Sequence, residues 1–282
     1  MGEVFIGAEA IAAGRVTRHE LRRWYRPLYR GIYGPARVAP SLPDRATAAW
    51  LASQRRGVIA GIAASALHGA QWVDDDVPIE LIGSHARTQP GLIVRDEALD
   101  ADEVTWVGKL PVTTRLRTAF DLGRLLDRDE AVARLDALMH SQVFSIEDVL
   151  LLAKRRRGAR GLKALRTALP LVDGGSASPR ETWLRLLYID AGLPRPTTQI
   201  PIVEGRGRLV RMADMGWEEF MTVSEYDGGL HQTNRRKYVN DIRSLRKAKE
   251  LGWIVDQVVK EDREDDIVKR AWRALTSRRW KP

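Results

Sequence analysis

Four acidic side chains carry the strongest chemical signal in this chain: Glu181, Asp214, Glu225 and Asp227. Asp214 lies in one run that reads as a strand and Glu225 and Asp227 in the next, and strand side chains alternate between faces with period two. If a two-residue turn at Glu218-Glu219 joins the strands, Trp217 opposes Phe220 and Asp214 opposes Val223. Asp214 and Glu225 then share a face one diagonal step apart, roughly 5–8 Å between Cβ atoms. A one-residue change in loop length would send them to opposite faces. Asp227 keeps the parity of Glu225, and Glu181 joins them if its helix packs at the end of the hairpin. Carboxylates gathered so closely repel and raise one another's pKa values, which a hard divalent cation, Mg2+ or Mn2+, relieves. Beside a phosphodiester such an ion polarises the phosphoryl oxygen, activates water and stabilises the leaving oxygen. His231 follows Asp227 by four residues, and an imidazole, with its near-neutral reference pKa, suits a proton relay there.

The elements that must position these residues are legible in the last hundred residues. Ser178 is an N-cap, Pro179 takes the favoured first helical position, and Gly192 ends a helix whose Trp183, Leu184, Leu187 and Ile189 give it a core face. Strands are predicted over 197–203, 208–217 and 220–226, a helix over 232–251, a strand at 252–255 and a closing helix over 262–275. Ahead of them, Val172-Asp173-Gly174-Gly175-Ser176-Ala177-Ser178 has the small-residue composition of a boundary. The chain is therefore divided into 1–171, a linker 172–178, and 179–282.

The first part starts with two short helices around a turn at Gly14. The second opens on a capping box at Thr17 and Glu20, and an aromatic strand region, Tyr29 to Tyr33, follows. That is the size and order of a winged helix, over about residues 5–38. The middle mixes helices (44–53, 62–67, 129–140, 145–153) with short strands (77–82, 91–94), and Pro111-Val112-Thr113-Thr114 is predicted to open a helix through Leu125. The fold class expected is mixed α/β (α+β) with a central mixed sheet flanked by helices in the last part.

A chain of 282 residues, 44% apolar and 29% charged, has the composition of a folded globular protein with room for two cores. Its net charge of +9 favours a polyanionic partner. The absence of cysteine excludes disulfides, thiolate metal sites and thiol nucleophiles. No uncharged run approaches the roughly 18 residues that span a bilayer, and the first fifteen residues lack the form of a secretory leader, so a cytoplasmic protein without a membrane partner is expected. Seven basic residues and no acidic one fall between Lys154 and Arg166, where a solvated face and a phosphate-contacting surface are both open readings. A second basic run, Arg235, Arg236, Lys237, Arg243, Arg246, Lys247 and Lys249, flanks the acidic cluster and favours phosphate contacts, with Asp241 and Arg243 a candidate structural pair. His68, set among Ala and Leu, reads as a structural histidine, and most Trp residues, Trp217 and Trp253 included, read as core.

Two resemblances are carried by particular residues. Ser178-Pro179-Arg180-Glu181, Ala191-Gly192-Leu193-Pro194-Arg195-Pro196, Asp214, Glu225-Tyr226-Asp227-Gly228-Gly229-Leu230-His231, and Asp241 through Gly252-Trp253 together resemble bacterial proteins related to very-short-patch-repair endonucleases, within the PD-(D/E)XK superfamily. The likeness spans about residues 176–275. It implies a restriction-endonuclease-like domain in which Asp214 and Glu225 bind metal, Glu181 assists and His231 is a catalytic candidate. The chain departs from the broad superfamily at Asp227, which stands where Lys is usual. The segments Gly14-Arg15-Val16-Thr17-Arg18-His19-Glu20-Leu21, Leu28-Tyr29-Arg30-Gly31-Ile32-Tyr33, Ser65-Ala66-Leu67-His68-Gly69 and Leu110-Pro111-Val112-Thr113-Thr114 are similar to the winged-helix region of AbiEi-type antitoxins, over about residues 5–150. In a winged helix the second helix enters the major groove, which makes Arg18, Arg22, Arg23 and Arg26 base-side candidates, places Arg30 near the wing and puts Arg15 and Thr17 on phosphates.

Two functions follow as expectations. One is a DNA-binding, Mg2+- or Mn2+-dependent endonuclease. The other is a non-catalytic DNA-binding regulator or antitoxin that keeps the nuclease fold as a binding module. DNA is the partner in both, a homodimer is compatible with either, and the second adds a cognate toxin.

Overall fold

The computed structural model describes residues 4–83, 87–227 and 235–281, without the side chains of Arg206, Arg236 and Lys237. The chain is mixed α/β and forms two compact units, Met1–Pro170 and Leu171–Pro282.

The first unit begins with β1 (Phe5–Ile6), α1 (Gly7–Ala12), α2 (Arg18–Trp24), β2 (Tyr25–Tyr29) and β3 (Ile32–Pro35). The strands form an antiparallel sheet in the order β1-β3-β2. Gly14 turns the chain at φ +66°, and the capping box starts α2: Thr17 accepts from the Glu20 amide while Glu20 accepts from the Thr17 amide. Phe5, Ala10 and Leu21 form a small core with Tyr25 and Tyr33 against it. β1, too short to show a period, was not predicted.

The unit continues through α3 (Leu42–Ala52), β4 (Val58–Ala60), α4 (Gly61–Leu67), β5 (Ile79–Ile82), β6 (Leu92–Arg95), β7 (Val104–Val107), β8 (Leu110–Thr113), α5 (Arg115–Leu125), α6 (Arg128–Ser141), α7 (Ile146–Arg155) and α8 (Leu162–Ala168). Its five-stranded sheet runs β6-β5-β4-β8-β7, parallel at β5/β6 and β4/β8. Residues 111–113, predicted as a helix start, are instead strand. Val112 is fully buried beside Ile59 of β4 and opposite Thr105 of β7, so sheet packing overrides the Pro signal, and the helix begins one residue past the Thr114 cap. His68 is structural: its Nε2 lies 2.7 Å from the Thr113 carbonyl, and burial, outweighing that hydrogen bond, pushes its pKa down.

The second unit contains α9 (Pro179–Asp190), β9 (Thr197–Glu204), β10 (Arg208–Trp217), β11 (Thr222–Asp227), α10 (Arg235–Glu250), β12 (Ile254–Val259) and α11 (Glu264–Ser277), the predicted order. The mixed sheet runs β12-β11-β10-β9, with only the β11/β12 pair parallel. One core joins Leu184 and Tyr188 of α9, Ile267, Ala271 and Leu275 of α11, and Met215, Trp217 and Val258 of the sheet. A second joins Ala248 of α10 to Ile200, Ile202, Ala213 and Val223. Each fully buried Leu, Ile or Val contributes about 1.5–3 kcal/mol. Trp217 and Trp253 pack against these clusters as expected. Trp24, Trp72 and Trp106 are exposed, whereas Trp50, Trp183, Trp272 and Trp280 also pack against the cores, in line with the core reading of most tryptophans.

Residues 172–178 do not run as a spacer. Val172 and Ser176 are buried, Asp173 accepts from the Gly175 amide and the Thr198 hydroxyl, and a side chain at 175 would strike Thr198. The Leu171 and Val172 carbonyls accept from Arg185 and Arg195. The small residues serve close packing within the second unit.

Candidate active site of the second unit

The β10–β11 connection decides whether Asp214 and Glu225 meet. It is longer than the two residues predicted: Glu218–Phe220 form a single 3-10 turn, Met221 adopts φ +46°, and Trp217 pairs with Thr222. Phe220 leaves the ladder because it packs against the core of Trp217 and Leu184. The register therefore moves by two residues, an even number, and parity is kept. Continuing the pairs Gly216–Val223 and Met215–Ser224 by one step places Asp214 opposite Glu225 rather than opposite Val223.

Alternation in β10 changes sides at this point. Arg211 and Ala213 face α10, whereas Met215 and Trp217 join the core under α9 and α11. Asp214 sits at the reversal. Its Oδ2 accepts from the Tyr226 amide at 2.8 Å. Burial first, then the charge of Glu181, and more weakly that of Glu225, push its carboxyl up to about 7, although the Tyr226 hydrogen bond and the Arg211 charge pull the other way.

Glu225 is buried, and both its oxygens accept from Arg211 through Nε and Nη2. Arg211 also donates through Nη1 to Asp241 Oδ1 at 2.7 Å and Ser244 Oγ at 2.8 Å, tying β10 to α10. Burial works against the Arg211 charge, yet the hydrogen bonds and charges of Glu225 and Asp241 outweigh it and raise the Arg211 pKa. Asp241 is thus paired with Arg211, not with Arg243 as the sequence suggested. Glu181 is nearly buried in the first turn of α9 and works as a cap, accepting from the Ala177 amide at 2.8 Å and the Ser178 hydroxyl at 2.9 Å.

Asp227 ends β11 beside Val259 of β12. With Arg211, Asp214, Glu225, Asp241 and Gln257 it lines a recess of about 80 Å3. The sequence reading missed Arg211 and Gln257. Gln257 becomes visible only through the parallel register that sets it beside Glu225; Arg211, three residues before Asp214 on the same strand, was a cation in plain view. Among the described residues, no three His, Asp or Glu side chains are grouped closely enough to cage an ion by themselves. His231 lies outside the described residues, as do the side chains of Arg236 and Lys237; Arg235 is exposed at the start of α10.

In the first unit, Arg15, Thr17, Arg18, Arg22, Arg23 and Arg30 are all exposed. Thr17 is committed to the capping box, and Arg22 Nε donates to the Arg18 carbonyl at 3.4 Å. Arg30 occupies the turn between β2 and β3, with its amide held by Gln89. Arg26, a base-side candidate, turns to the chain and donates to the Val38 carbonyl. Exposed Trp24 is flanked by the guanidinium groups of Arg23 and Arg37, at 5.0 and 5.4 Å from its ring. No family model matches the chain, and no solved structure matches it. Two uncharacterized proteins of Mycobacterium tuberculosis, MT2308 from strain CDC 1551 and Rv2248 from strain H37Rv, are each 30% identical over 244 residues, covering 86% of this chain and 86% of theirs. At that identity and coverage, the chain belongs to one family with these two mycobacterial proteins.

Proposed function

We propose that this is a DNA-binding protein whose second unit hydrolyses phosphodiester bonds with a divalent cation held by Asp214 and Glu225. The observation that carries the reading is Asp214, a half-buried carboxyl raised to about 7 by burial and by neighbouring acids. A fold gains nothing from such an acid, whereas a cation beside it removes the repulsion. The donors fit Mg2+ or Mn2+: hard carboxylates, two rather than three or four, as suits an ion that takes its remaining positions from water and substrate phosphate. The ion supplies Lewis-acid polarisation of the phosphate. Asp214, poised near neutrality, can hold or release a proton beside the scissile group, and Arg211 can hold Glu225 in place or donate to a phosphate oxygen. In this reading the exposed arginines of α2 and the β2–β3 turn neutralise DNA phosphates.

The test is plasmid and oligonucleotide cleavage with Mg2+ or Mn2+, comparing wild type with Asp214→Ala and Glu225→Ala. Loss of cutting in both variants supports the site, and cutting that survives both removes it.

A second reading has its own observation. Arg211 already neutralises Glu225 on both oxygens, which is how a retained, non-catalytic fold would settle its acids, and Asp227 stands where the broad PD-(D/E)XK superfamily usually has Lys. The protein would then be a DNA-binding regulator or antitoxin, with a cognate toxin as partner. Tight, salt-sensitive duplex binding with no cleavage of duplex, mismatched or single-stranded DNA would decide for it.

A further inference from the structure

A recess of about 390 Å3 in the first unit lies between α5, residues 97–98 and the turn joining α7 to α8. That volume is within the range of small-molecule sites. Two nearly inaccessible guanidinium groups, Arg117 and Arg124, flank the Phe120 ring at 5.7 and 5.1 Å and converge on Glu97. Arg117 donates to Glu97 Oε2 at 2.8 Å and Arg124 to Oε1 at 2.7 Å. Among the described residues Glu97 is the one acid lining the recess, and about a third of its side chain (32%) is open to solvent. Its oxygens are therefore held in place and still reachable.

The same recess carries charge of a different kind. Arg157 and Arg160 line the recess and are exposed, and neither has a carboxylate partner among the described residues. The turn that presents them is held close to α5 by a glycine: Gly161 has φ +85°, and a Cβ there would lie 1.9 Å from the Arg124 carbonyl oxygen. At Gly158 a Cβ would meet nothing within 4 Å, so that side of the wall is open. The recess thus combines fixed carboxylate acceptors with two exposed guanidinium groups that have no carboxylate partner among the described residues, Arg157 donating only through Nε to the Lys154 carbonyl at 3.3 Å.

We infer that this recess is a binding site for a small phosphorylated ligand of about nucleotide size, its phosphate on Arg157 and Arg160 and a hydroxyl or amino group on Glu97. Guanidinium groups match phosphate oxygens in charge and in fork geometry, and a carboxylate already oriented by two arginines accepts a hydroxyl or amino hydrogen without reorganising. The site is independent of the acids of the second unit and of any cleavage.

The experiment is calorimetric titration of the full chain with ATP, GTP and a short single-stranded oligonucleotide, using wild type and the Arg157→Ala/Arg160→Ala double variant. Both positions are exposed, so the variant is expected to keep the wild-type melting temperature. Removing two charge-assisted contacts should weaken a mononucleotide by about tenfold or more, and Glu97→Gln should weaken it less. If the oligonucleotide alone binds and the double variant loses it, the phosphates come from a strand and the arginine assignment stands. Absence of any binding below about 1 mM, or equal affinity in wild type and double variant, overturns the inference.

Discussion

Asp121 in the first unit is a buried aspartate and Asp214 in the second a half-buried one, and they come to opposite ends. Burial pushes Asp121 up, but Arg95, Arg117 and Arg124 outweigh it and hold its carboxyl below the usual range. Burial pushes Asp214 up as well, and there the largest charge effect is that of an acid, Glu181, so its carboxyl is pushed up to about 7. Arg211, the cation within reach, puts its fork on Glu225 and Asp241 instead. The first arrangement is what a fold does with an acid it needs for structure. The second leaves an acid available for chemistry, which is why the functional reading rests on Asp214.

The largest expected effect comes from removing the compensated acid. Asp121→Ala removes the carboxylate that three guanidinium groups share, leaving them Glu80, Glu97 and Glu103, and should cost about 3–5 kcal/mol, read as a lower denaturant midpoint of the first unit; a loss under about 1 kcal/mol would mean the network is better solvated than its burial implies. Asp214→Asn should do the reverse. An acid whose folded pKa lies above its unfolded value retains a proton that the unfolded chain has lost, so its penalty is absent below about pH 4, grows as pH rises and is complete above about 7. The variant should therefore gain up to about 4 kcal/mol at pH 8 and almost nothing at pH 3.5, and a gain of equal size at both pH values would break the contrast with Asp121.

Arg211→Gln sits between these extremes. Releasing Glu225 should cost about 2 kcal/mol and, since the Arg211 charge lowers Asp214, should move the Asp214 titration further up, which a carboxyl NMR titration reads directly. An unmoved titration would show that Arg211 does not reach Asp214. The smallest effects belong to the residues of α2 and its cap. Thr17→Ala should cost about 1 kcal/mol through the lost cap, whereas Arg18→Ala should leave melting unchanged and lower the salt dependence of duplex binding by about one ion.

The contrast between the two aspartates was only half legible in the sequence. Ser178, Pro179 and Gly192 mark the ends of α9, and alternating apolar residues mark β10 and β11, so the second unit's element order could be read. The register could not, because Phe220 leaves the ladder for tertiary packing. Arg117, Asp121 and Arg124 have helix-neighbour spacing that looks like a solvated face; their burial depends on Arg95, Glu97 and Glu103, brought in from distant strands and turns. Short strands such as β4 and β7 owe their existence to the sheet around them and leave little local pattern.

The packing of residues 172–178 determines where the molecule can be divided. A fragment begun at Pro179, where a helix visibly starts, would discard Val172 from the core, the Asp173 acceptor of Thr198, and the Leu171 and Val172 carbonyls that receive Arg185 and Arg195, although Arg185 is fully buried. It would also remove the Ala177 amide and the Ser178 hydroxyl, and with them the partners that orient Glu181 toward its cap. A fragment begun at Leu171 keeps every one of these contacts, so eight residues at one end separate a second unit with its acids in order from one whose first helix has lost its anchor.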